Sequence, residues 1–450
     1  MDALEKMRAE GLDEVAAAAF AQQLERLQAG EQGVLPEADI EPVDAVPALD
    51  DLSGGDEQAR EALERTVVIK LNGGLGTSMG MSGPKSLLEV KDGLTFLDLS
   101  VRQVAALRES TGARLPLVLM NSFATREPSL DALRRHGDVS GELPPDFLQG
   151  RVPKLRADDL RPADWPDDPA LEWAPPGHGD IYPSLLSSGM LDALAQHDYA
   201  YAFVSNVDNL GAVVEPRILG WFAREEIPFL MEVARRTEAD RKGGHLAQRP
   251  GGGLVLRELA QTAEEDLDAF QDIDHHRYFN TNTLWVDLRA LRSVLDERDG
   301  VLGLPMIVNH KTVDPADKSS TPVIQVESAM GMAVDVFEGA RAVCVPRTRF
   351  APVKTTNDLL VLRSDAYDLD EQGAVTPTRP DGDPVVDLDP DHFKLLDDFD
   401  ARFSAGPPSL RECDRLTVVG DVTFGAGVVV RGTVRVEGPT HIEDGTVLTG

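Results

Sequence analysis

The 450-residue chain is larger than one ordinary domain, and its 42% apolar and 27% charged residues are typical of a globular protein. Its net charge of −33 argues against a general binder of nucleic acids or anionic membranes, since both need a positive field. Two cysteines, Cys344 and Cys413, are too few for a disulfide framework or a zinc cluster. The sequence also shows no signal-peptide pattern and no apolar stretch of roughly 18 residues, so we predict a cytoplasmic protein without membrane spans.

The first two thirds of the chain alternate helical and strand-like patterns. Residues 1 to about 30 predict a helix, 35–55 a linker and 56–65 a second helix. Apolar runs that predict strands lie at 67–71, 115–120, 201–205, 229–233 and 284–286, with helical patterns at 96–109 and 182–196. This alternation predicts an α/β fold with a largely parallel sheet. Because ligands bind such sheets at the carboxyl ends of strands, we expect functional residues after Leu71, Met120 and Val204.

The C-terminal tail has a different pattern. After about residue 410, an aliphatic residue or Thr recurs at every sixth position, with glycines near the corners. This spacing is typical of a hexapeptide-repeat β-helix, of which one to two coils fit before residue 450. So short a β-helix covers its own terminal face poorly, which favours a homo-oligomer formed through the tail. A tail that only caps its own catalytic domain is the alternative, and both stay open.

Residues 71–86, here called the glycine-rich segment, directly follow the strand predicted at 67–71 and read LNGGLGTSMGMSGPKS. Closely spaced glycines let backbone N–H groups approach a phosphate or a base, and Lys85 adds a positive charge. A Walker A loop needs Gly before the Lys, where Pro84 stands. A dinucleotide fingerprint needs its third Gly at Met79. Neither loop fits, and a strand–helix turn that binds nothing remains possible from the glycines alone.

The glycine-rich segment resembles the signature of the eukaryotic-type UTP–glucose-1-phosphate uridylyltransferase (UDP-glucose pyrophosphorylase) family, LNGGLGTSMG followed by GPKS. Five later blocks continue the resemblance in the same order: 119–123 (LMNSF), 175–180 (PPGHGD), 204–211 (VSNVDNLG), 279–282 (FNTN) and 349–356 (RFAPVKTT). Together they cover roughly residues 65–370. Each block alone is moderately specific, and the ordered set is hard to explain by chance.

This resemblance implies the fold and the reaction. The expected architecture is a mostly parallel, Rossmann-like nucleotidyltransferase (GT-A-like) sheet with an N-terminal helical segment and a short left-handed β-helix. The expected domains are residues 1–60, 61–370 and 371–450, with the β-helix at about 410–450. The expected reaction is direct in-line attack of glucose-1-phosphate on the α-phosphate of UTP, which yields UDP-glucose and pyrophosphate. No covalent intermediate is needed.

The resemblance also assigns site residues. It implies that Lys85 and Lys354 are catalytic and contact the phosphates from two distant segments. Its implied nucleotide ligands are Leu71, Asn72, Gly73 and Gly74 through their backbone, with Gln149, Gly177, Asn206 and Lys85. Its implied sugar-phosphate ligands are His178, Asn206, Asp208, Asn282, Glu327 and Lys354. Thr283 stands where the family usually has a second Asn. The alternative for Glu327 is a surface glutamate without a ligand, and the alternative for His178 is a histidine that only lies in a turn.

Asp208 is the candidate metal ligand. It follows the predicted strand 201–205, and a carboxylate at that place suits Mg²⁺, which prefers one or two carboxylates plus phosphate oxygens. The alternative is that Asp208 and Asn209 only cap a turn.

Two other functions stay open at this point. A related enzyme would use N-acetylhexosamine-1-phosphate or several sugar-1-phosphates, although such relatives tend to have a more Gly- and Gln-rich first block. A protein of another class would bind nucleotide without catalysis. Assaying pyrophosphate release from UTP and a panel of sugar-1-phosphates separates the three.

Overall fold

The computed structural model describes residues 2–53, 56–380 and 382–450. Its α-helices are Ala3–Ala9 (α1), Glu14–Gln28 (α2), Asp56–Leu63 (α3), Phe96–Thr111 (α4), Arg126–Leu133 (α5), Ile181–Ser187 (α6), Met190–Gln196 (α7), Pro216–Arg224 (α8), Leu267–Gln271 (α9), Leu288–Glu297 (α10), Thr356–Arg363 (α11), Pro390–Phe393 (α12) and Leu396–Arg402 (α13).

The strands of the N-terminal half are Glu41–Pro42 (β1), Thr66–Asn72 (β2), Glu89–Lys91 (β3), Leu94–Thr95 (β4), Leu117–Asn121 (β5), Asp146–Leu148 (β6), Val152–Pro153 (β7), Leu155–Arg156 (β8), Trp173–Ala174 (β9), Tyr201–Asn206 (β10), Phe229–Arg235 (β11), His245–Gln248 (β12) and Leu254–Arg257 (β13). The later strands are Tyr278–Asp287 (β14), Ile307–Thr312 (β15), Pro322–Glu327 (β16), Arg341–Cys344 (β17), Tyr367–Leu369 (β18), Val375–Pro377 (β19), Val385–Leu388 (β20), Ser409–Val419 (β21), Val422–Phe424 (β22), Val429–Glu437 (β23), Thr440–Ile442 (β24) and Val447–Thr449 (β25).

A central sheet with the order β1–β12–β14–β10–β2–β5–β6 organises the molecule, and β11, β13 and β17 extend it. The neighbours β10, β2, β5 and β6 run parallel, while β14 pairs antiparallel with β10 and β11. The α/β class and the parallel sheet centre are therefore as predicted. In register, Leu71 lies beside Asn206 and Asn72 beside Asn121, so β2, β5 and β10 all end in Asn at one edge.

Strand β2 shows why the sheet is covered on both faces. Its alternating side chains enter two different cores, with Val67 and Ile69 on one face and Val68 on the other. Helices α6, α7 and α10 pack against the first face, and α4 and α8 against the second. A continuous apolar run such as β2 is typical of a strand buried on both sides.

Two predicted helices are each broken by a glycine. The helix predicted over residues 1–30 is α1 and α2, separated at Gly11, whose φ of 71° is left-handed, and Asp13 then caps α2. The helix predicted over 182–196 is α6 and α7, separated at Gly189 with φ of 74°. A left-handed residue ends an α-helix, and glycine adopts this conformation without steric cost.

The predicted linker, residues 35–55, packs against the sheet over its described part, 35–53. Its strand β1 pairs antiparallel with β12, and Leu35 donates its N–H to the Gln261 carbonyl at 2.8 Å. The helical α1 and α2 pack through Met7 and Phe20 on Met306 and Ile324. The N-terminal region is thus fastened at several places to the unit built around the central sheet.

The tail forms stacked parallel ladders, β20–β21–β23–β25 and β22–β24. Pairs such as Val422 with Thr440 and Val429 with Val447 are 18 positions apart, which is three hexapeptides per coil. Side chains inside these coils share a core with residues of the catalytic unit, for example Phe424 with Phe96 and Val207. The tail therefore caps its own chain. Its handedness and the domain boundaries stay predictions.

In the part of the chain that the structure describes, no helix combines the length and apolar character needed to cross a bilayer.

Candidate active site

The glycine-rich segment leaves the end of β2 and folds back on itself. Lys85 donates its backbone N–H to the Gly74 carbonyl at 3.1 Å, and Leu75 forms an isolated antiparallel bridge with Pro84. Gly80, at the turn of the loop, has φ of 78°. Because its two ends are tied together, the segment brings Lys85 back to the edge where β2 ends.

Lys85 and Asp208 form an ion pair at this edge. Lys85 Nζ lies 2.5 Å from Asp208 Oδ2, and the two side chains are only 17% and 16% exposed. Asp208 follows β10, the parallel neighbour of β2, and Val207 donates its N–H to the Leu71 carbonyl at 3.1 Å. The structure thus places Lys85, which is predicted to bind phosphate, next to Asp208, which is predicted to bind a metal ion.

Asn209 and Asp208 have separate tasks. Asn209 is buried, its side chain donates to the Arg349 carbonyl at 3.2 Å, and it accepts the Ala351 N–H at 3.1 Å. Asn209 also forms an isolated bridge with Pro352. The turn-capping alternative therefore suits Asn209, whereas Asp208 points to Lys85. This contact also joins the sequence blocks 204–211 and 349–356.

Lys354 comes two residues after Pro352, and its side chain is exposed. Its backbone N–H donates to Asp358 Oδ2, in the first turn of α11, at 2.8 Å. Its side chain faces Glu258, whose pKa is raised to about 7 by burial against the opposing effects of the Lys354 charge and an Asn280 hydrogen bond. Lys354 thus lies in a segment distant from Lys85 in the chain, and its charge acts on the carboxylate of Glu258.

The arginines near Lys354 are structural. Arg349 is buried and binds both carboxylate oxygens of Glu232, at 2.8 and 2.7 Å, and Trp285 donates to the same carboxylate at 2.9 Å. Arg347 pairs with Asp240 at 2.9 Å. The positive charge that the sequence concentrates at 347–349 is thus neutralised by partners. Removing one member of a buried pair such as Arg349–Glu232 costs about 3–5 kcal/mol.

Gly73 and Gln149 are in direct contact. A methyl group at Gly73 would overlap the Gln149 side-chain oxygen, so only glycine fits there without a shift of Gln149. Gln149 donates its N–H to the Asn121 carbonyl at 2.8 Å, at the end of β5. The buried side chain of Asn72 donates to Asn121 Oδ1 at 2.7 Å and Ser129 Oγ at 2.8 Å. Asn72 therefore holds the sheet edge with its side chain.

Gly177 and His178 pack on the chain that follows β16. Gly177 has φ of 80°, and a methyl group there would overlap the Ser328 carbonyl. His178 Nδ1 accepts the Met330 N–H at 2.9 Å, so the ring proton of the neutral imidazole lies on Nε2. Burial lowers the pKa of His178 to about 4. At neutral pH His178 is an uncharged donor held in one orientation.

Glu327 lies next to this turn, with its Cβ close to Gly177. Burial raises its pKa, while the Lys311 charge and an Asn309 hydrogen bond oppose that effect. Glu327 is half-buried, so the surface alternative does not describe it.

Asn282 is placed by a bulge in β14. The register of β11 against β14 shifts between Glu232 and Val233, so residues 281 and 282 have no directly paired partner in β11. Asn282 has φ of 55°, and its N–H and side chain both bond to the side chain of Asn280, at 2.9 and 3.0 Å. Thr283 is fully buried, so this departure from the family pattern lies inside the sheet. Bulges of this kind redirect side chains beside active sites.

Sequence reasoning missed three charged residues near these positions. Glu258 contacts Asn280 and faces Lys354. Asp180 is buried and accepts hydrogen bonds from Gly150 and Ser184, both at 2.6 Å, and burial raises its pKa to about 6. Asp180 ends the block 175–180, which was the available signal for it, whereas nothing local distinguishes Glu258 from its many acidic neighbours.

Lys70 is the third missed residue, and here the sequence did contain an indication. It is the one charge in the apolar run 67–71, and the fold buries it with bonds to Ser205 Oγ at 2.8 Å and the Ala212 carbonyl at 2.9 Å. Burial lowers the pKa of Lys70 to about 7.

Comparison with the sequences of known proteins finds one enzyme family. The family model described as UTP–glucose-1-phosphate uridylyltransferase matches residues 17–431. A UTP–glucose-1-phosphate uridylyltransferase of Solanum tuberosum is 40% identical over 405 residues, which are 88% of this chain and 83% of the relative. A probable one of Schizosaccharomyces pombe is 41% identical over 84% of this chain and 74% of the relative.

Solved structures are similar over nearly the whole chain. A mutant UDP-glucose pyrophosphorylase from Leishmania major in complex with UDP-glucose superposes with a TM-score of 0.91, at 44% identity, over 99% of this chain and 97% of that one. A UDP-glucose phosphorylase from Trypanosoma brucei gives a TM-score of 0.88 at 44% identity, over 100% and 98% of the two chains. The chain therefore belongs to the UTP–glucose-1-phosphate uridylyltransferase family.

Proposed function

We propose that this protein transfers the uridylyl group of UTP to glucose-1-phosphate, producing UDP-glucose and pyrophosphate. The observation that carries the proposal is the Lys85–Asp208 pair at the edge where β2 and β10 end, directly beside the glycine-rich segment. The names of the relatives and the UDP-glucose bound in the Leishmania major structure support this choice of substrates.

The reaction is a displacement at phosphorus. A phosphate oxygen of glucose-1-phosphate forms a bond to the α-phosphorus of UTP, and the bond from that phosphorus to the oxygen of the β-phosphate breaks. The bonding electrons leave with pyrophosphate. Two anions must approach each other, so the protein must neutralise charge and align the two oxygens. Lys85 supplies a positive charge at the sheet edge, and Lys354 supplies one from the opposite segment.

The remaining ligands divide into two groups. Backbone groups of Leu71–Gly74 and the Gln149 side chain, which lies against Gly73, bind uracil in this account. In the same proposal, five polar and partly buried residues bind the sugar phosphate: Asn206, Asp208, His178, Asn282 and Glu327. Hydrogen bonds hold two of them, His178 and Asn282, in place. Nε2 of His178 carries a proton at neutral pH, so it donates to a phosphate oxygen without adding charge.

The residues at Asp208 fit Mg²⁺. Asp208 offers a partly exposed carboxylate, and the substrates bring the phosphate oxygens that this hard ion also prefers. When bound, Mg²⁺ neutralises charge on the phosphates. Asp208 would hold the ion, and Lys85 would bind phosphate oxygens in place of the carboxylate.

One assay tests the function and its alternatives. UTP, Mg²⁺ and a panel of sugar-1-phosphates are mixed with the protein, and pyrophosphate release is measured with Lys85→Ala as the background control. We expect the highest kcat/KM with glucose-1-phosphate. A preference for N-acetylglucosamine-1-phosphate would favour the related enzyme, and no release with any sugar would favour a non-catalytic nucleotide binder.

Three further properties belong to the same proposal. A left-handed β-helix is supported by the three-hexapeptide coils of the tail. Homo-oligomer formation through the tail is supported by Val447, whose side chain is 48% exposed on the last strand. A cytoplasmic location is supported by the two cysteines, both free in the structure.

A further inference from the structure

A cluster of two imidazoles and a carboxylate lies apart from the proposed ligands of the substrates. Glu37 comes from the N-terminal segment that was predicted as a linker, and His275 and His276 come from the turn before β14. Glu37 Oε1 lies 3.3 Å from His275 Nε2 and 2.9 Å from His276 Nε2. The three candidate ligand atoms all lie within 4.8 Å of one another.

These distances suit one tetrahedral ion. Zinc bonds to His nitrogen and carboxylate oxygen are about 2.0–2.1 Å long, so two ligand atoms on a tetrahedral ion are about 3.4 Å apart. The Glu37–His275 distance has this value, and the Glu37–His276 distance is shorter by a few tenths of an ångström. Small rotations of the side chains would therefore centre an ion among the three groups.

The surroundings orient the carboxylate for such an ion. Buried Arg257 pairs with Glu37 Oε2 and, at 3.0 Å, with Asp266 Oδ2, so Oε1 is the oxygen that faces the imidazoles. Asp272 accepts the backbone N–H of His275 at 3.1 Å and so fixes the turn. Buried Arg236 also lies close and donates to the His276 carbonyl at 3.2 Å.

Two buried imidazoles stack beside the cluster. His276 is fully buried, and its ring stacks on that of fully buried His245 with 3.9 Å between centroids. His276 Nδ1 and both ring nitrogens of His245 have no hydrogen-bond partner among the described residues. Buried polar groups are normally paired, and these three nitrogens are exceptions that differ from the His276 Nε2 atom facing Glu37. His275 is 45% exposed and gives an ion access from solvent.

We propose that Glu37, His275 and His276 bind one divalent transition-metal ion of the Zn²⁺ class, with water as the fourth ligand. The ion links the N-terminal segment to the turn that precedes β14, the strand with Asn280 and Asn282. Its role is structural, because it fastens residues 35–42 to the catalytic unit. This site is independent of the proposed function.

Cobalt substitution tests the proposal directly. Tag-free protein is stripped with a chelator and titrated with Co²⁺, whose visible absorption is intense in a tetrahedral site and weak in an octahedral one. We expect intense bands that saturate at one Co²⁺ per chain and disappear when Zn²⁺ is added. His275→Gln should weaken Co²⁺ binding by roughly tenfold or more, since even changes outside the ligands cost this much. His441→Gln, at an exposed histidine of the tail, is the matched control and should bind as the wild type does.

Stability gives a second readout. Zn²⁺ should raise the melting temperature of the wild type and of His441→Gln, and slow hydrogen exchange in residues 35–42, but change neither in His275→Gln. Wild-type protein without the intense bands, or a His275→Gln variant that binds Co²⁺ as tightly as the wild type, would overturn the proposal. The cluster would then be a hydrogen-bonded Glu–His–His group only.

Discussion

Lys85 Nζ lies 2.5 Å from Asp208 Oδ2, although 123 positions separate the two residues in the chain. The contact exists because β2 and β10 are parallel neighbours and the glycine-rich segment folds back to the end of β2. Each partner keeps the other charge-balanced until substrate arrives. An ammonium and a carboxylate that are both about five-sixths buried would otherwise be costly to leave unpaired.

Asp208→Asn should raise the Mg²⁺ concentration needed for half-maximal rate by about tenfold or more, because the charged oxygen ligand is lost. The measurement is initial rate against Mg²⁺ concentration at saturating UTP and glucose-1-phosphate. Asp296→Asn, at an exposed aspartate, should leave the curve in place. Superimposable curves for Asp208→Asn and the wild type would remove Asp208 as the metal ligand.

Gly73→Ala should weaken UTP binding, because the added methyl group displaces Gln149. We expect a larger dissociation constant for UTP in calorimetry, while the melting temperature changes little. Gly83→Ala is the comparison within the same segment, since nothing lies within 4 Å of its added methyl group. Equal UTP affinities in the two variants would contradict the contact of Gln149 with the nucleotide.

Glu258→Gln should change how stability depends on pH. The pKa of Glu258 is raised to about 7 in the folded protein from an ordinary value of 4.5, so the folded state binds the proton more tightly. Its ionisation therefore destabilises the wild type as pH rises from about 4.5 to 7. The urea midpoint of Glu258→Gln, relative to that of the wild type, should therefore be higher at pH 8 than at pH 5. Glu338→Gln, at an exposed glutamate, should show no such trend. A difference between the two urea midpoints that is the same at pH 5 and pH 8 would refute the raised pKa of Glu258.

Val447→Asp tests assembly through the tail. If the last coil packs on another subunit, a charge on β25 should lower the mass measured by light scattering. Val385→Asp is the control, because Val385 is similarly exposed on β20 at the other edge of the same sheet. A wild type with the mass of one chain, or an unchanged mass in Val447→Asp, would exclude this interface.

Much of the fold was predictable because its strands are continuous apolar runs. The run at 67–71 became the centre of the sheet, and the predicted functional edge follows it. Helix ends were less predictable, since Gly11 and Gly189 take left-handed conformations that helical spacing does not reveal. The strand β1 has two residues and exists only through its pairing with β12, so its local sequence indicated a linker.

Some residues of the site were also predictable from the sequence, and others were not. Lys85 and Asp208 were predicted because each follows a strand in a recognisable block. Glu258 was missed because its environment comes from Asn280 and Lys354, residues that only the fold brings near. The structural roles of Arg347 and Arg349 were hidden for a similar reason, since their acidic partners Asp240 and Glu232 are more than a hundred positions away.

The most direct measurement is the rate of pyrophosphate release from UTP and glucose-1-phosphate by Lys85→Ala. We expect a loss of roughly two orders of magnitude or more in kcat, the scale of removing one electrostatic stabiliser, with the circular dichroism spectrum unchanged. Lys318→Ala, at an exposed lysine, should keep the wild-type rate. A Lys85→Ala variant with a near-normal rate would contradict the central claim that this lysine stabilises the phosphates during transfer.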